Sequence, residues 1–158
     1  MIPTLQKQYA LLQGSREIVL NFIDTQVGAD LNKPVPAYEG STIRYLLVHN
    51  ANAYFAWLKG FAFNKSFDLL NDETFTTIRL IRTLYTQVDD TMAIFLEAFA
   101  EKMETPLNGT LSRNRQTCAS PLQLFTHVLT HEFHHKGQIM SMCRLLGYMP
   151  PDTDVIRF

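Results

Sequence analysis

Cysteine is scarce in this chain. Only Cys118 and Cys143 occur, far apart, without the spacing of a thiolate metal site and too few for a disulfide framework. They read as two unpaired thiols of a reducing compartment. Long apolar runs are missing as well. Nothing approaches the ~20 continuous apolar residues that span a bilayer, so no membrane span is expected. The opening stretch from Met1 to Gln8 has no basic patch followed by an apolar run, and a cytoplasmic location is the expectation. Charge of one sign is not in excess: the net charge is -1, so no global field draws nucleic acid or an anionic membrane, and neither is expected as a partner. Internal repeats and low-complexity linkers are absent. Residues 1–158 therefore read as a single domain, long enough to bury a core without staples.

What is present is helical pattern. The chain is 46% apolar and 18% charged, the balance of a folded globular protein. A first helix is predicted from about Thr4 to Val27, with Leu5, Tyr9, Leu12, Val19, Phe22 and Ile23 at helical spacing, weakened by Gly14 and ended by Gly28 and the Pro34/Pro36 segment. A second begins at Ser41 or Thr42, either of which could cap it, and stops near Gly60. A third starts around Asp72 or Thr74 and carries apolar residues from Phe75 to Phe99. Asn108-Gly109 between short apolar flanks then predicts a tight turn, a small hairpin or an extended excursion. The fourth helix opens on Ser120-Pro121 and ends at Gly147, ahead of Pro150 and Pro151. The expected architecture is all-α: an up-down four-helix bundle with a short irregular or hairpin excursion between helices 3 and 4.

The histidines carry the chemistry. His127, His131, His134 and His135 crowd the fourth helix, and His49 lies in the second. On the fourth helix Leu124, Val128, His131, His135, Gln138, Met142 and Leu145 form one stripe at steps of three and four. On the second, Leu46, His49, Ala53, Ala56 and Gly60 form another, with small residues beside the histidine. Imidazoles on such inward stripes cost on the order of a few kcal/mol each unless something satisfies them. His131 and His135, at i and i+4, suit Zn, Ni or Fe, and a third imidazole from a facing helix would complete a divalent-metal site with an open position. His127 is about 12 Å along the axis from His135, too far for three rings of one straight helix to converge. His49 is the preferred third ligand, and His134 remains an alternative. The plainer role for any lone pair of these residues is that of hydrogen-bonded core or surface histidines.

His131-Glu132-Phe133-His134-His135 also matches the H-E-x-x-H helix of zinc proteases. The remaining parts are missing. No Glu follows Glu132, Gln138 and Ser141 stand where some such enzymes need Gly and His, and strands for a substrate-binding edge are lacking.

The segment from His127 to Ile139 instead resembles the signature of the DinB/YfiT-like metal-binding four-helix-bundle superfamily, which is unrelated to the DNA polymerase of similar name. The matching residues are His49 in the second helix, then His131, His135, Lys136, Gly137 and Gln138. The stretches Ile43 to His49 and Leu146 to Asp154 resemble that superfamily too, and the likeness runs the length of the chain in helix order. Lys136 departs from it, standing where Arg is more usual. The resemblance implies a DinB/YfiT-type bundle, a three-His divalent-metal site (His49, His131, His135), a homodimer, and metal-dependent chemistry on a small-molecule substrate. That chemistry is transfer of a low-molecular-weight thiol to an electrophile, or hydrolysis. The alternative is a non-catalytic metal- or ligand-binding stress-response protein.

A hydrolase would need an acid/base near the metal. Glu132 is the nearest carboxylate in sequence but is rotated about 100° from His131, which favours a solvated or neighbour-paired role. His127 and His134 are further candidates for proton transfer. Arg44, Arg79, Arg82, Arg113, Arg115 and Arg144 read as ordinary surface cations, available in principle to a charged thiol. Tyr54, Phe55, Trp57, Phe61 and Phe63 read as core and interface rather than a substrate box.

Overall fold

Helix ends in this chain are set by local hydrogen bonding, and most fall where the capping residues stand. The computed structural model describes residues 1–111 and 115–156, and of residues 111 and 115 the backbone alone. Helix α1 (Ile2–Phe22) starts slightly earlier than expected because Pro3 is tolerated in its first turn. It runs on through a π turn (Ile23–Val27) and a 3-10 turn (Gly28–Asn32). Helix α2 (Ile43–Tyr54) is capped by Thr42, whose hydroxyl accepts the Tyr45 N–H at 3.0 Å. It continues as a π-helical segment (Phe55–Phe61) that runs past Gly60 and buries Phe55, Leu58 and Phe61.

Helix α3 (Ile78–Ala98) corrects the sequence reading. Asp72–Thr74 form only a separate 3-10 turn, capped by Asn71, and the helix proper begins on Thr77, which accepts the Leu80 N–H. Two capping residues six positions apart compete for one start, and Phe75 leaves helical geometry between them at ψ 53°.

Helix α4 (Pro121–Leu145) is held at both ends. Ser120 and Gln123 form a reciprocal capping box with Pro121 in the first turn. At the other end the Tyr148 N–H bonds to the Cys143 carbonyl at 2.9 Å and the Gly147 N–H to Arg144 at 3.0 Å. This Schellman arrangement needs the left-handed backbone that Gly147 adopts at φ +95°.

Between α3 and α4 stands an antiparallel pair, β1 (Leu107–Leu111) and β2 (Arg115–Ala119). The hairpin expectation holds in kind but not in place. Asn108-Gly109 is not the turn; it lies inside β1, opposite Cys118 and Thr117. The connection between the strands lies outside the described residues. Gly109 serves close approach instead, since a Cβ there would come within 2.9 Å of the Phe61 ring. Gly109→Ala is expected to destabilise the protein by about 1–3 kcal/mol, read as a shifted denaturant midpoint with unchanged slope.

One contiguous apolar core runs through all four helices. Helix α2 packs on α3 and α4, α1 packs on the same two, and the π segment after α2 reaches β1. The α2–α4 contact positions the site, because it faces the histidine stripe of one helix toward that of the other. Among the described residues no helix is long and apolar enough to cross a membrane. Cys118 is exposed, Cys143 is buried, and both are free thiols.

Candidate metal centre

His49 projects from α2, and His131 and His135 from successive turns of α4. Their ring centroids lie 5.1 Å (49–131), 4.8 Å (49–135) and 4.4 Å (131–135) apart. One ligand atom from each lies within 4.8 Å of the others, so the group could hold a metal ion. A tetrahedral ion spaces its nitrogen donors roughly 3.4 Å apart, so ring adjustments on the order of an ångström would close the set. The Nε2 of His131 is buried and has no hydrogen-bond partner. Such an orphaned atom ordinarily costs about 1–3 kcal/mol, and an ion between the rings would satisfy it. The residues present therefore fit a divalent transition metal.

Electrostatics and orientation favour ligation. Burial, followed by the neighbouring His135, His49, His127 and His134 imidazoles, pushes His131 down to about 4. Burial lowers His49 too, and lowers His135 against the opposing hydrogen bond from Gln138. All three are thus biased to the neutral form that binds metals. Gln138 Oε1 lies 2.6 Å from His135 Nδ1. With the amide oxygen accepting, Nδ1 carries the proton and Nε2 presents its lone pair. Tyr45 stacks on His49 at 5.9 Å and 16°.

The other two histidines stand outside this group. His127 stacks on His131 at 5.8 Å and meets the edge of Trp57, and His134 meets His135 edge-on at 5.0 Å. Both are exposed. Leu145, read as part of the inward stripe, is exposed at the helix end.

Glu132 faces away from the imidazoles. It is buried, accepting from Arg16 Nε at 2.7 Å and Nη2 at 3.0 Å and from the Tyr54 hydroxyl at 2.6 Å. Arg16 also donates to Asp89 at 2.6 Å and to the Tyr9 hydroxyl at 3.2 Å. The neighbour-paired role expected of Glu132 is the one it has, and a protease-like general base is thereby missing. The sequence reading missed Arg16, Tyr9 and Asp89. The available signal was a charged residue on an otherwise inward stripe of α1, between Leu12 and Val19.

Lys136 is tied down as well. It donates to Ser15 Oγ at 3.1 Å and to the Thr153 carbonyl at 2.7 Å, strapping the C-terminal segment onto α1. Arg44 pairs with Asp72 at 2.9 Å, Arg82 pairs with Glu17, and Arg79 and Arg144 are exposed. Arg113 and the side chain of Arg115 lie outside the described residues. Tyr54, Phe55 and Phe61 are core, as expected, Phe63 packs half-buried against that core, and so does Trp57. With Tyr45, Ala53 and Ala56 it lines a cavity of about 400 Å³ that also touches His49 and His131.

A mostly helical chain that gathers three imidazoles where two helices meet belongs to the class of helical proteins with a histidine-rich site able to hold a metal ion. The family model for the DinB family matches residues 1–158, and the chain belongs to the DinB family. No curated protein matches it.

Proposed function

We propose that this protein holds one divalent transition metal ion, Zn, Ni or Fe, on His49, His131 and His135, and uses it to transfer a low-molecular-weight thiol to a small electrophile. The single observation that carries this reading is the convergence of three neutral imidazoles around the unpartnered Nε2 of His131. A bound ion supplies a Lewis acid that acidifies a thiol or a water molecule near neutral pH. The chain's own residues do the rest. Gln138 fixes the His135 tautomer, and the open cavity beside His49 and His131 seats the reacting molecule next to the imidazoles. Thiol transfer is favoured over hydrolysis because Glu132 is committed to Arg16 and Tyr54, and Asp72, the carboxylate that lines the cavity, is paired with Arg44. We read the protein as a single-domain up-down bundle acting as a homodimer in the cytoplasm, with a small molecule rather than nucleic acid or membrane as partner.

Purified protein is expected to carry close to one equivalent of ion per chain by elemental analysis. Turnover of a thiol with an electrophile such as chlorodinitrobenzene should be lost in His131→Ala. Equal turnover by both proteins would remove the metal from the mechanism. A second reading, a non-catalytic metal- or ligand-binding stress-response protein, is favoured by the commitment of Glu132. Full metal occupancy without turnover of any thiol–electrophile pair would select it.

A further inference from the structure

Residues 64–71, ahead of the 3-10 turn at Asp72–Thr74, form neither helix nor strand. A segment of this kind is placed by what grips it from the scaffold. Three grips come from α2 and its π-helical continuation. Arg44 pairs with Asp72 at 2.9 Å. Asn52 holds both backbone groups of Leu70, accepting the N–H at 2.9 Å and donating to the carbonyl at 3.1 Å. Phe67 lies so close on Gly60 that a Cβ there would come within 2.7 Å of its ring. As the helix positions run 44, 52, 60, their partners run 72, 70, 67, so the segment lies antiparallel along the helix. It borders two open clefts. One, of about 400 Å³, holds the His49 and His131 rings with Asn52, Trp57 and Leu70. The other, of about 460 Å³, lies toward Gly60 and Lys65. Ala56 and Leu69 line both, so the clefts meet at these two residues, and Leu69 is 74% exposed there.

We propose that Leu69 sets the length of the molecule that sits against His49 and His131, and that Asn52 is the residue that positions Leu69. Ala56 is too small to divide the two clefts, which leaves the Leu69 side chain as the ridge between them. An occupant whose reacting atom meets the imidazoles keeps its body on the near side of that ridge if it is compact, and must cross the ridge if it is long. Displacing or crossing a methylene-sized obstacle is enough to separate related ligands by ten-fold or more. Asn52 fixes the ridge because the N–H it accepts belongs to the peptide that joins Leu69 to Leu70, so the bond sets the orientation of that peptide. The charge of the reacting end plays no part in this selection, since that end meets the imidazoles, or an ion on them, while length is read at the other. The inference rests on the proposed function only in calling the occupant a thiol substrate; it makes compact thiols good occupants and elongated ones poor.

Trp57 is the chain's one tryptophan and lines the cleft of the imidazoles, so its emission reports occupancy. The experiment titrates metal-free and zinc-loaded protein with benzyl mercaptan and with 4-phenylbenzyl mercaptan, which differ by one ring in length. The unaltered protein is expected to bind the shorter thiol at least three-fold more tightly. Leu69→Ala should move the ratio of the two affinities at least ten-fold toward the longer thiol; the side chain is exposed, so this variant folds. Asn52→Ala should move the ratio the same way by at least three-fold and speed hydrogen exchange of the Leu70 amide at least ten-fold, whereas Asn52→Asp, which keeps the acceptor, should leave both within two-fold of the unaltered protein. An unchanged ratio in Leu69→Ala would overturn the proposal, as would no saturable response to either thiol. An unchanged Leu70 exchange rate in Asn52→Ala would strike Asn52 from it. A ratio that shifts as expected in protein that takes up no metal would uphold the proposal while defeating the metal-dependent function.

Discussion

Replacing Glu132 with alanine is expected to cost about 3–5 kcal/mol of folding stability, measured by denaturant unfolding of metal-free protein. The magnitude follows from what is left behind. Arg16 is 6% exposed, and burial alone opposes its charge; the adjacent Glu132 carboxylate and its hydrogen bonds outweigh that and raise the guanidinium pKa. Without Glu132, the cation keeps Asp89, the Tyr9 hydroxyl and the face of the Tyr85 ring at 4.5 Å, and of these the one charge, Asp89, is itself 32% exposed. Tyr54→Phe should cost less, about 1.5–3 kcal/mol, because it removes one hydrogen bond to a charged acceptor that Arg16 still grips with two nitrogens. Converting the pair to apolar residues, Arg16→Met with Glu132→Leu, leaves no unpaired charge between these positions. The double variant is expected to be more stable than the summed single losses by about 2 kcal/mol. Strict additivity would mean that the two residues do not act as a pair.

This cluster also explains how the site is aimed. Arg16 comes from α1, Tyr54 from α2, Asp89 from α3 and Glu132 from α4, so one set of directional bonds ties all four helices. Glu132 is the residue after His131 on α4. Fixing its carboxylate toward α1 and Tyr54 fixes the rotation of α4, and with it the direction in which His131 and His135 face α2. Apolar packing alone tolerates small rotations, whereas a bidentate guanidinium–carboxylate pair does not.

The parts legible in the sequence were those decided by nearest neighbours along the chain. Ser120-Pro121 and Gly147 marked the ends of α4 because capping is chemistry within one turn, and His49, His131 and His135 declared themselves by sitting on stripes whose other members are small or apolar. Where two local signals competed, sequence spacing misled. Asn71 and Thr77 are both capping residues, and only the later one starts α3. Asn108-Gly109 has the composition of a turn, yet its glycine answers to the Phe61 ring, nearly fifty residues away. The partners of Glu132 were illegible for the same reason: Arg16 is 116 positions distant and Tyr54 is 78. Nothing in a linear pattern selects one distant arginine over another. Trp57 packs against the core as expected, but helical spacing cannot say whether an aromatic residue also borders an open cavity, as this one does.

Loss of His49 is the largest expected effect on the site itself. His49→Ala and His131→Ala should each weaken divalent-metal affinity by more than ~100-fold, beyond the 10–100-fold typical of losing an outer partner. Competition against a chromophoric chelator measures this directly. Gln138→Ala is expected to fall within that outer-partner range with stoichiometry unchanged, because the His135 ring stays in place but loses the acceptor that sets its tautomer. Gln138→Glu restores an acceptor and should recover most of the affinity. The neighbouring histidines provide the contrast. His127 and His134 lie in contact with the cluster yet outside the group of converging ligand atoms, so alanine at either should leave affinity within about three-fold of the unaltered protein, far short of a lost ligand. Retained affinity in His49→Ala together with its loss in His134→Ala would transfer the third ligand from α2 to α4. The bundle would then hold its metal on one helix rather than between two.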